Sequence, residues 1–290
     1  MSKAYTQSAA IEKAATWIMK SSKLLITAGA GIGIDSGLPV FRGPVGFWAA
    51  YPAFKANRLS FQDAASPAMF RNDPELAWGF YGHRLKMYRE TSPHAGFHNL
   101  LQWAVSKDSF IFTSNVDGQF QKAGFSINKI VECHGRLNTL QCSVPCMSET
   151  WSARSFNPEI DENSQRLVGA LPRCIRCGEL ARPNVLMFGD NSWVSDETDV
   201  RLSVFNDWLN RGRPMGLENE DVLDSVVIEI GAGMAVSTVR NLGTNLANTA
   251  GWKLIRINPS DAETISSNTV VLSLNSLLAL KLLSDVVDRH

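Results

Sequence analysis

Four of the five cysteines in this 290-residue chain fall into two close pairs. Three residues separate Cys142 from Cys146, two separate Cys174 from Cys177, and 27 residues (147–173) lie between the pairs. Four thiolates in this arrangement suit a closed, tetrahedral zinc site, and in a chain of this length they favour a metal over disulfides. We therefore predict one structural Zn²⁺ per chain. Cys133 lies outside these pairs. It could be a reactive thiol, but such a residue more often packs in the core.

Two glycine turns follow short apolar segments and could approach phosphate groups. Residues 23–28 predict a buried strand that enters Gly29-Ala30-Gly31-Ile32-Gly33, and residues 225–230 enter Gly231-Ala232-Gly233. Glycines let the backbone come close to a pyrophosphate, and the N-terminus of a following helix favours an anion. The G-x-G-x-x-G pattern is incomplete because Ile34 holds the third glycine position. By itself, the first turn is equally compatible with an ordinary tight turn.

The elements that position these residues alternate along the chain. Residues 8–21 predict a helix, and further strands are expected at 110–113, 129–132, 184–188 and 253–257. Strands that alternate with helical segments predict an α/β fold with a Rossmann-like, doubly wound, mostly parallel sheet.

Two stretches interrupt this alternation and predict two further parts of the chain. Residues 44–95 are rich in aromatic side chains and lack strand signals, which predicts a helical lid segment. Residues 136–182 carry the paired cysteines and predict a small inserted zinc-binding module. The remaining residues, 1–43, 96–135 and 183–290, would form the nucleotide-binding domain.

The composition narrows the range of partners. The chain contains 28 Lys and Arg residues and 28 Asp and Glu residues, so its formal net charge is zero. Such a balance argues against a general electrostatic attraction to nucleic acid or to an anionic membrane. Since we find neither a stretch of about 18 apolar residues nor an uninterrupted apolar leader, we expect no membrane span and a cytoplasmic protein.

Four strings resemble signatures of the Sir2 (sirtuin) family and occur in that family's order. Residues 29–43, GAGIGIDSGLPVFRG, resemble GAG-I-S-x-x-SG-I-P-x-FRG, and residues 113–117, TSNVD, resemble TQNID. Residues 132–135, ECHG, resemble E-L-HG, and residues 182–190, RPNVLMFGD, resemble RP-x-V-V-x-FGE. The cysteine pairs lie between the last two strings, where the family has its zinc module.

This resemblance implies an NAD-dependent enzyme that removes acyl groups from protein lysine side chains and releases nicotinamide and O-acyl-ADP-ribose. It implies that His134 is the general base, a role that suits the titration of imidazole near neutral pH. The acylated peptide would be held as an added β-strand near residues 188–190. The implied NAD-binding residues are Gly29, Ala30, Gly31, Phe41, Arg42, Ser114, Asn115, Asp117, Gly231 and Asn258, with Phe41 and Arg42 on a loop that covers the cofactor.

Some positions depart from the family pattern and leave other functions open. Val40 replaces an Asp, Ser114 replaces a Gln, and Gly231-Ala232-Gly233 replaces G-T-S. Altered ribose contacts would suit an NAD glycohydrolase or ADP-ribosyltransferase built on the same pocket. A catalytically inactive NAD-binding module is a third interpretation, against which the intact Asn115, Asp117 and His134 weigh. A Rossmann oxidoreductase is a more distant fourth, because hydride transfer has no signature here.

One pair of residues bears on which acyl group is removed. Tyr81 and Arg84 are three residues apart in a segment that predicts a helix over 75–88, so they share one face. They resemble the Tyr-x-x-Arg pair of class III sirtuins, which remove succinyl, malonyl and glutaryl groups. An arginine can bind a carboxylate bidentately, and a tyrosine hydroxyl can add a bond. We therefore expect substrates with a carboxylate-bearing acyl group; the alternative is that Tyr81 only packs and Arg84 is a solvated charge.

Overall fold

The computed structural model describes residues 3–39, 43–211, 223–260 and 266–289. The helices are α1 (Lys3–Lys20), α2 (Gly43–Ala50), α3 (Pro52–Ala56), α4 (Phe61–Ala64), α5 (Pro67–Asn72), α6 (Pro74–Glu90), α7 (Ala95–Val105), α8 (Gln119–Lys122), α9 (Asp196–Asn210), α10 (Thr238–Thr249) and α11 (Ser276–Val287). The strands are β1 (Ser21–Ala28), β2 (Asp108–Thr113), β3 (Ile130–Glu132), β4 (Gly135–Cys142), β5 (Trp151–Ser152), β6 (Glu159–Ile160), β7 (Leu167–Val168), β8 (Ala181–Val185), β9 (Leu223–Ile230), β10 (Lys253–Ile257) and β11 (Thr269–Leu272).

Six strands form a parallel sheet in the order β11-β10-β9-β1-β2-β3. The chain starts in the middle with β1, continues outward through β2 and β3, and later continues outward on the other side through β9, β10 and β11. The direction of winding therefore reverses between β1 and β9. In open α/β sheets, ligands bind at the carboxyl ends of the strands beside such a switch point.

The sheet is buried on both faces because successive side chains of β1 point in opposite directions. Leu24 and Ile26 pack into a core beneath α1, α7 and α11, whereas Leu25 packs with side chains from α9 and α10. All three leucine and isoleucine side chains are fully buried. Helices on both faces of a parallel sheet confirm the predicted Rossmann-like fold.

A smaller part of the chain has a third core and different architecture. The strands β5, β4 and β8 form an antiparallel sheet in that order, and β6 pairs with β7 in a two-stranded hairpin. Helices α2 to α6 pack beside them around buried aromatic rings, among them Phe47, Trp78 and Phe80. The Trp78 indole donates a hydrogen bond to the Ala181 carbonyl of β8 at 2.9 Å.

Five of the six predicted strands match strands of the parallel sheet, and one differs. The strand expected at 184–188 is instead Ala181–Val185, and it belongs to the small antiparallel sheet because it pairs with β4. Strand β11 was not predicted from the sequence. Residues 44–95 are helical as expected, and the proposed three-part division of the chain stays a prediction. In the part of the chain that the structure describes, no helix combines the length and the apolarity needed to cross a membrane.

Candidate active site

The two glycine turns lie directly against each other at the switch point. The Gly31 amide donates to the Gly231 carbonyl at 3.1 Å, and the Gly29 amide donates to the Ile230 carbonyl at 3.0 Å. A Cβ placed on Gly31 would lie 2.6 Å from the Gly231 Cα, and one on Gly29 would lie 2.8 Å from the Ala232 Cα. Gly231 has a φ of +61°, which favours glycine. The turns therefore need glycine for their mutual contact.

The segment after the first turn is a 3₁₀-helix, Ala30–Ser36, where the sequence predicts an ordinary helix N-terminus. Two long-range contacts hold it in place. The His94 imidazole lies 3.0 Å from the Ile32 carbonyl, and the Asp35 carboxylate accepts the Leu277 amide at 2.7 Å. The turn and its helix thus form a backbone cradle, anchored from α7 and α11, at the carboxyl edge of the sheet.

Ser114 and Asn115 follow β2 and contact this cradle. The Ser114 amide donates to the Ala28 carbonyl at 3.2 Å, which extends the pairing of β1 with β2. The Asn115 side-chain amide donates to the Gly29 carbonyl at 3.1 Å, and its backbone amide donates to the Thr113 hydroxyl at 3.0 Å. Asn115 is buried. Its side chain therefore fixes the first glycine turn against the end of β2.

Asn258 fixes the second glycine turn in the way that Asn115 fixes the first. It follows β10, is 1% exposed, and donates from its side-chain amide to the Ala232 carbonyl at 2.9 Å. The structure thus brings Gly29, Gly31, Gly231 and Asn258 together. In the sequence, Gly31 and Gly231 are 200 positions apart, and Asn258 lies 27 positions beyond Gly231.

His134 lies beside Ser114, in the turn between β3 and β4. Its imidazole is half-buried and makes a hydrogen bond to the Ser114 backbone. Burial lowers the pKa of His134, and that hydrogen bond only partly opposes the shift. The imidazole is therefore neutral near pH 7, the state that a general base requires.

Asp117 is the third polar residue after β2. Its carboxylate accepts the Gln119 amide at 2.9 Å, and burial raises its pKa despite the nearby positive charge of Arg84. The carboxyl group is therefore held in a poorly solvated position, and it is electrostatically linked to α6.

Glu132 lies close to His134, although the sequence analysis did not name it as a site residue. It ends β3, two positions before His134, and burial raises its pKa to about 8. Gln121 donates to its carboxylate at 2.8 Å, and Arg136 lies 3.3 Å away and also pairs with Glu197 of α9. Only the four-residue spacing of Glu132 and Arg136 could have signalled this network, because Gln121 and Glu197 come from other elements.

Tyr81 and Arg84 lie on α6 as predicted, and the structure brings them together. The Arg84 guanidinium carbon lies 6.0 Å from the Tyr81 ring centroid and 5.1 Å from that of Phe80. Tyr81 is fully buried, and its ring stacks on Phe70 with centroids 5.6 Å apart. Arg84 also donates to the Tyr88 hydroxyl from Nε at 3.1 Å and from Nη2 at 2.7 Å. The sequence prediction did not include Tyr88.

The four paired cysteines converge at the edge of the small sheet. Their sulfur atoms all lie within 4.8 Å of one another, with 3.6 Å between Cys142 and Cys177 and between Cys146 and Cys174. Tetrahedral zinc with bonds of about 2.3 Å places its sulfurs about 3.8 Å apart, which fits this cluster. The four thiols are thus positioned to bind one zinc ion, as the sequence predicts.

Three predicted residues remain to be placed. Phe41 and Arg42, expected on the covering loop, lie outside the described residues. Cys133 packs against the sheet core, and burial raises the pKa of its thiol to about 12, so it stays protonated. This supports the packing interpretation, since the thiolate is the reactive form.

Known proteins share these features. The model of the Sir2 family matches residues 29–202. An NAD-dependent protein deacylase of Pyrococcus furiosus is 34% identical over 176 residues, which cover 60% of this chain and 63% of that protein. One from Leptospira interrogans is 29% identical over 249 residues, 86% of each chain. The match with the Pyrococcus protein therefore spans less than two thirds of that relative's length.

Solved structures support the fold. A crystal structure of a Sir2 homologue in complex with NAD superposes with a TM-score of 0.70 at 24% identity, over 96% of this chain and 94% of that one. A Sir2 complex with a deacetylated p53 peptide and 3′-O-acetyl ADP-ribose gives 0.63 at 20% identity, over 95% and 97%. A Rossmann-like sheet with an inserted four-cysteine module defines a recognisable class of α/β protein. The chain belongs to the Sir2 family.

Proposed function

We propose that this protein is an NAD-dependent protein-lysine deacylase. The observation that carries the proposal is the position of His134, a neutral, half-buried imidazole beside Ser114 at the carboxyl edge of the sheet. It is joined to the glycine turns through backbone contacts of residues 113–115. The names of the relatives support the same activity.

NAD fits the cradle formed by the two turns, because their glycines leave backbone rather than side chains at the switch point. When bound, NAD supplies a labile glycosidic bond to nicotinamide. Gly29, Ala30, Gly31, Gly231 and Asn258 would hold the dinucleotide, with Phe41 and Arg42 covering it. Ser114, Asn115 and Asp117 would orient the nicotinamide ribose end, and His134 would accept a proton from a ribose hydroxyl.

The acylated lysine of a protein substrate would enter between the sheet and the small module. Leu186 and Phe188 lie just after β8 and stay partly exposed, and the Phe188 amide donates to the Ala65 carbonyl at 2.9 Å. The buried ion pair between Arg182 and Asp190, 2.8 Å apart, fixes this segment. It therefore offers an ordered backbone against which a peptide strand could pair.

We further propose that the acyl pocket prefers a terminal carboxylate. Arg84 lies against the Tyr81 ring, and its positive charge acts on Asp117, so the acyl chain would meet a guanidinium close to the reaction centre. Losing a charged hydrogen bond in a partly buried site costs roughly 1.5–3 kcal/mol, about ten- to a hundred-fold in rate. Arg84→Met should thus impair desuccinylation far more than deacetylation.

The deciding experiment measures nicotinamide release with a panel of unmodified, acetylated, malonylated and succinylated peptides. Release that requires an acyl-lysine, with transfer of the acyl group to ADP-ribose, supports deacylation. Release at the same rate without peptide would replace it with the NAD glycohydrolase or ADP-ribosyltransferase function. Equal activity on acetyl peptides, unaffected by Arg84→Met, would leave Tyr81 and Arg84 as structural residues only.

A further inference from the structure

The Arg84 guanidinium of the proposed acyl pocket is hydrogen-bonded to a neighbouring side chain. Its Nε and Nη2 atoms, which form one of the two edges that can bind a carboxylate bidentately, both donate to the Tyr88 hydroxyl. The Tyr88 ring also lies 5.4 Å from the guanidinium carbon. One helical turn separates the two residues, so α6 itself supplies this partner.

The Tyr88 hydroxyl supplies a hydrogen-bond acceptor to a guanidinium that is poorly solvated. Arg84 is half-buried among the rings of Phe80, Tyr81 and Tyr88. A poorly solvated guanidinium that loses an acceptor pays a desolvation cost. A neutral hydroxyl meets this need more weakly than a carboxylate does, because a carboxylate carries a full negative charge and offers two oxygens that match the guanidinium edge bidentately. Tyr88 is therefore an acceptor that a carboxylate can displace.

We infer that Tyr88 determines acyl specificity by competing with the substrate's carboxylate for Arg84. With a neutral acyl group such as acetyl, the hydroxyl stays on the guanidinium and keeps it satisfied. With a succinyl or malonyl group, the carboxylate takes the Nε and Nη2 edge and displaces the hydroxyl. Tyr88 thus broadens the pocket toward neutral acyl groups and weakens its preference for acidic ones. This inference rests on the proposed acyl pocket.

The test compares kcat/KM for succinyl and acetyl versions of one peptide in the wild type and in Tyr88→Phe. Without the hydroxyl, the succinyl carboxylate no longer has to displace it from Arg84. In the acetyl complex, the Arg84 guanidinium then lacks this acceptor. The ratio of succinyl to acetyl kcat/KM should rise roughly ten-fold, mainly through a lower KM for the succinyl peptide. Thr91→Val is the matched control, because it removes from the end of the same helix a hydroxyl that bonds the Met87 carbonyl at 2.8 Å; it should leave the ratio unchanged.

Arg84→Met and Tyr88→Phe together distinguish a wrong role for Tyr88 from a wrong acyl pocket. If Arg84→Met selectively abolishes desuccinylation while Tyr88→Phe leaves the ratio unchanged or lowers it, the role of Tyr88 is wrong and the acyl pocket stands. If Arg84→Met affects both activities equally, the pocket proposal itself fails. Thermal unfolding shows whether each variant is folded. Should Tyr88→Phe be unstable, Tyr88→Met must raise the ratio in the same direction or the inference is rejected.

Discussion

The parallel sheet and the smaller part built from α2 to α6 and β4 to β8 are stabilised in different ways. The central strand β1 is paired along its length with both neighbours, and its apolar side chains are buried on both faces. In the smaller part, β5, β6 and β7 have two residues each. Strands this short bury little by themselves, so the four-cysteine cluster must stabilise the segments around it, whereas α2 to α6 pack around an aromatic core of their own.

The same two regions divide the proposed chemistry. The sheet edge holds the glycine turns, Asn115 and His134 largely through backbone contacts between strand ends. The smaller part holds Tyr81, Arg84 and Tyr88 through contacts between side chains of one helix. The geometry of the reaction site therefore depends on contacts between distant strand ends, whereas acyl selectivity can change through single side chains of one helix. Four substitutions test this contrast.

Replacing one zinc ligand should have the largest effect. Cys174→Ser removes a buried member of the cluster, and because metal binding is coupled to folding, zinc should be lost, the segments around the cluster should unfold and activity should disappear. Purified wild type should contain about one zinc per chain. Metal analysis and circular dichroism measure both effects. Cys133→Ser, at the cysteine outside the cluster, is the control and should keep its zinc; a zinc-free wild type would refute the site.

His134→Ala should come next, with a loss of roughly 10²- to 10⁴-fold in deacylation rate, the usual contribution of a general base. NAD binding, measured by calorimetry, should persist because the cofactor is held by other residues. His98→Ala, at an exposed histidine, should behave like the wild type. A His134→Ala variant with most of the wild-type turnover would remove this residue from the mechanism.

The pH dependence of the deacylation rate also tests the role of His134 as the general base. Since burial lowers the pKa of His134, the imidazole is neutral at pH 7 and becomes protonated only below its ordinary pKa of about 6.5. The rate should therefore stay constant from pH 7 down to that value and fall only at more acidic pH. An acidic limb above about 6.5 would contradict the direction of this shift.

Gly31→Ala tests whether the sheet edge depends on backbone contact. The added Cβ would lie 2.6 Å from the Gly231 Cα, so the turns must separate, at a cost of about 1–3 kcal/mol. NAD affinity should fall about ten-fold or more. Gly233→Ala is a control for stability, because a Cβ there meets no protein atom within 4 Å, so its thermal unfolding should match the wild type. Wild-type stability and wild-type NAD affinity in Gly31→Ala would show that the turns are looser than their contacts indicate.

Glu132→Gln should have the smallest effect on activity and a clear effect on stability. A folded pKa of about 8, above the ordinary carboxyl value, means that the folded state holds a proton that the unfolded state releases. The free energy of unfolding should therefore fall as pH rises from about 4.5 to 8, by on the order of a few kcal/mol. The Gln variant should lose this slope in denaturant titrations, whereas Glu162→Gln, at an exposed residue, should keep it.

Much of this protein follows from its sequence alone. The strands before each glycine turn, the two cysteine pairs and the order of the four motifs are local patterns, so residue type and spacing are sufficient to find them. The parallel sheet, the family and the zinc ligands were predicted on that basis. Strand β8 was misplaced because a short apolar segment does not indicate which sheet it joins. Its pairing with β4 depends on contacts between residues 39 to 50 positions apart.

Only the tertiary structure decided how the motifs meet. Gly31 and Gly231 are 200 positions apart, and nothing local shows that each must be glycine to accommodate the other. The raised pKa of Glu132 depends on burial, and burial is a property of the packed chain. The contact of Arg84 with Tyr88 required a choice of rotamer that i, i+4 spacing permits without specifying. A sequence names the groups available for chemistry, whereas their desolvation and mutual orientation arise only when distant segments pack together.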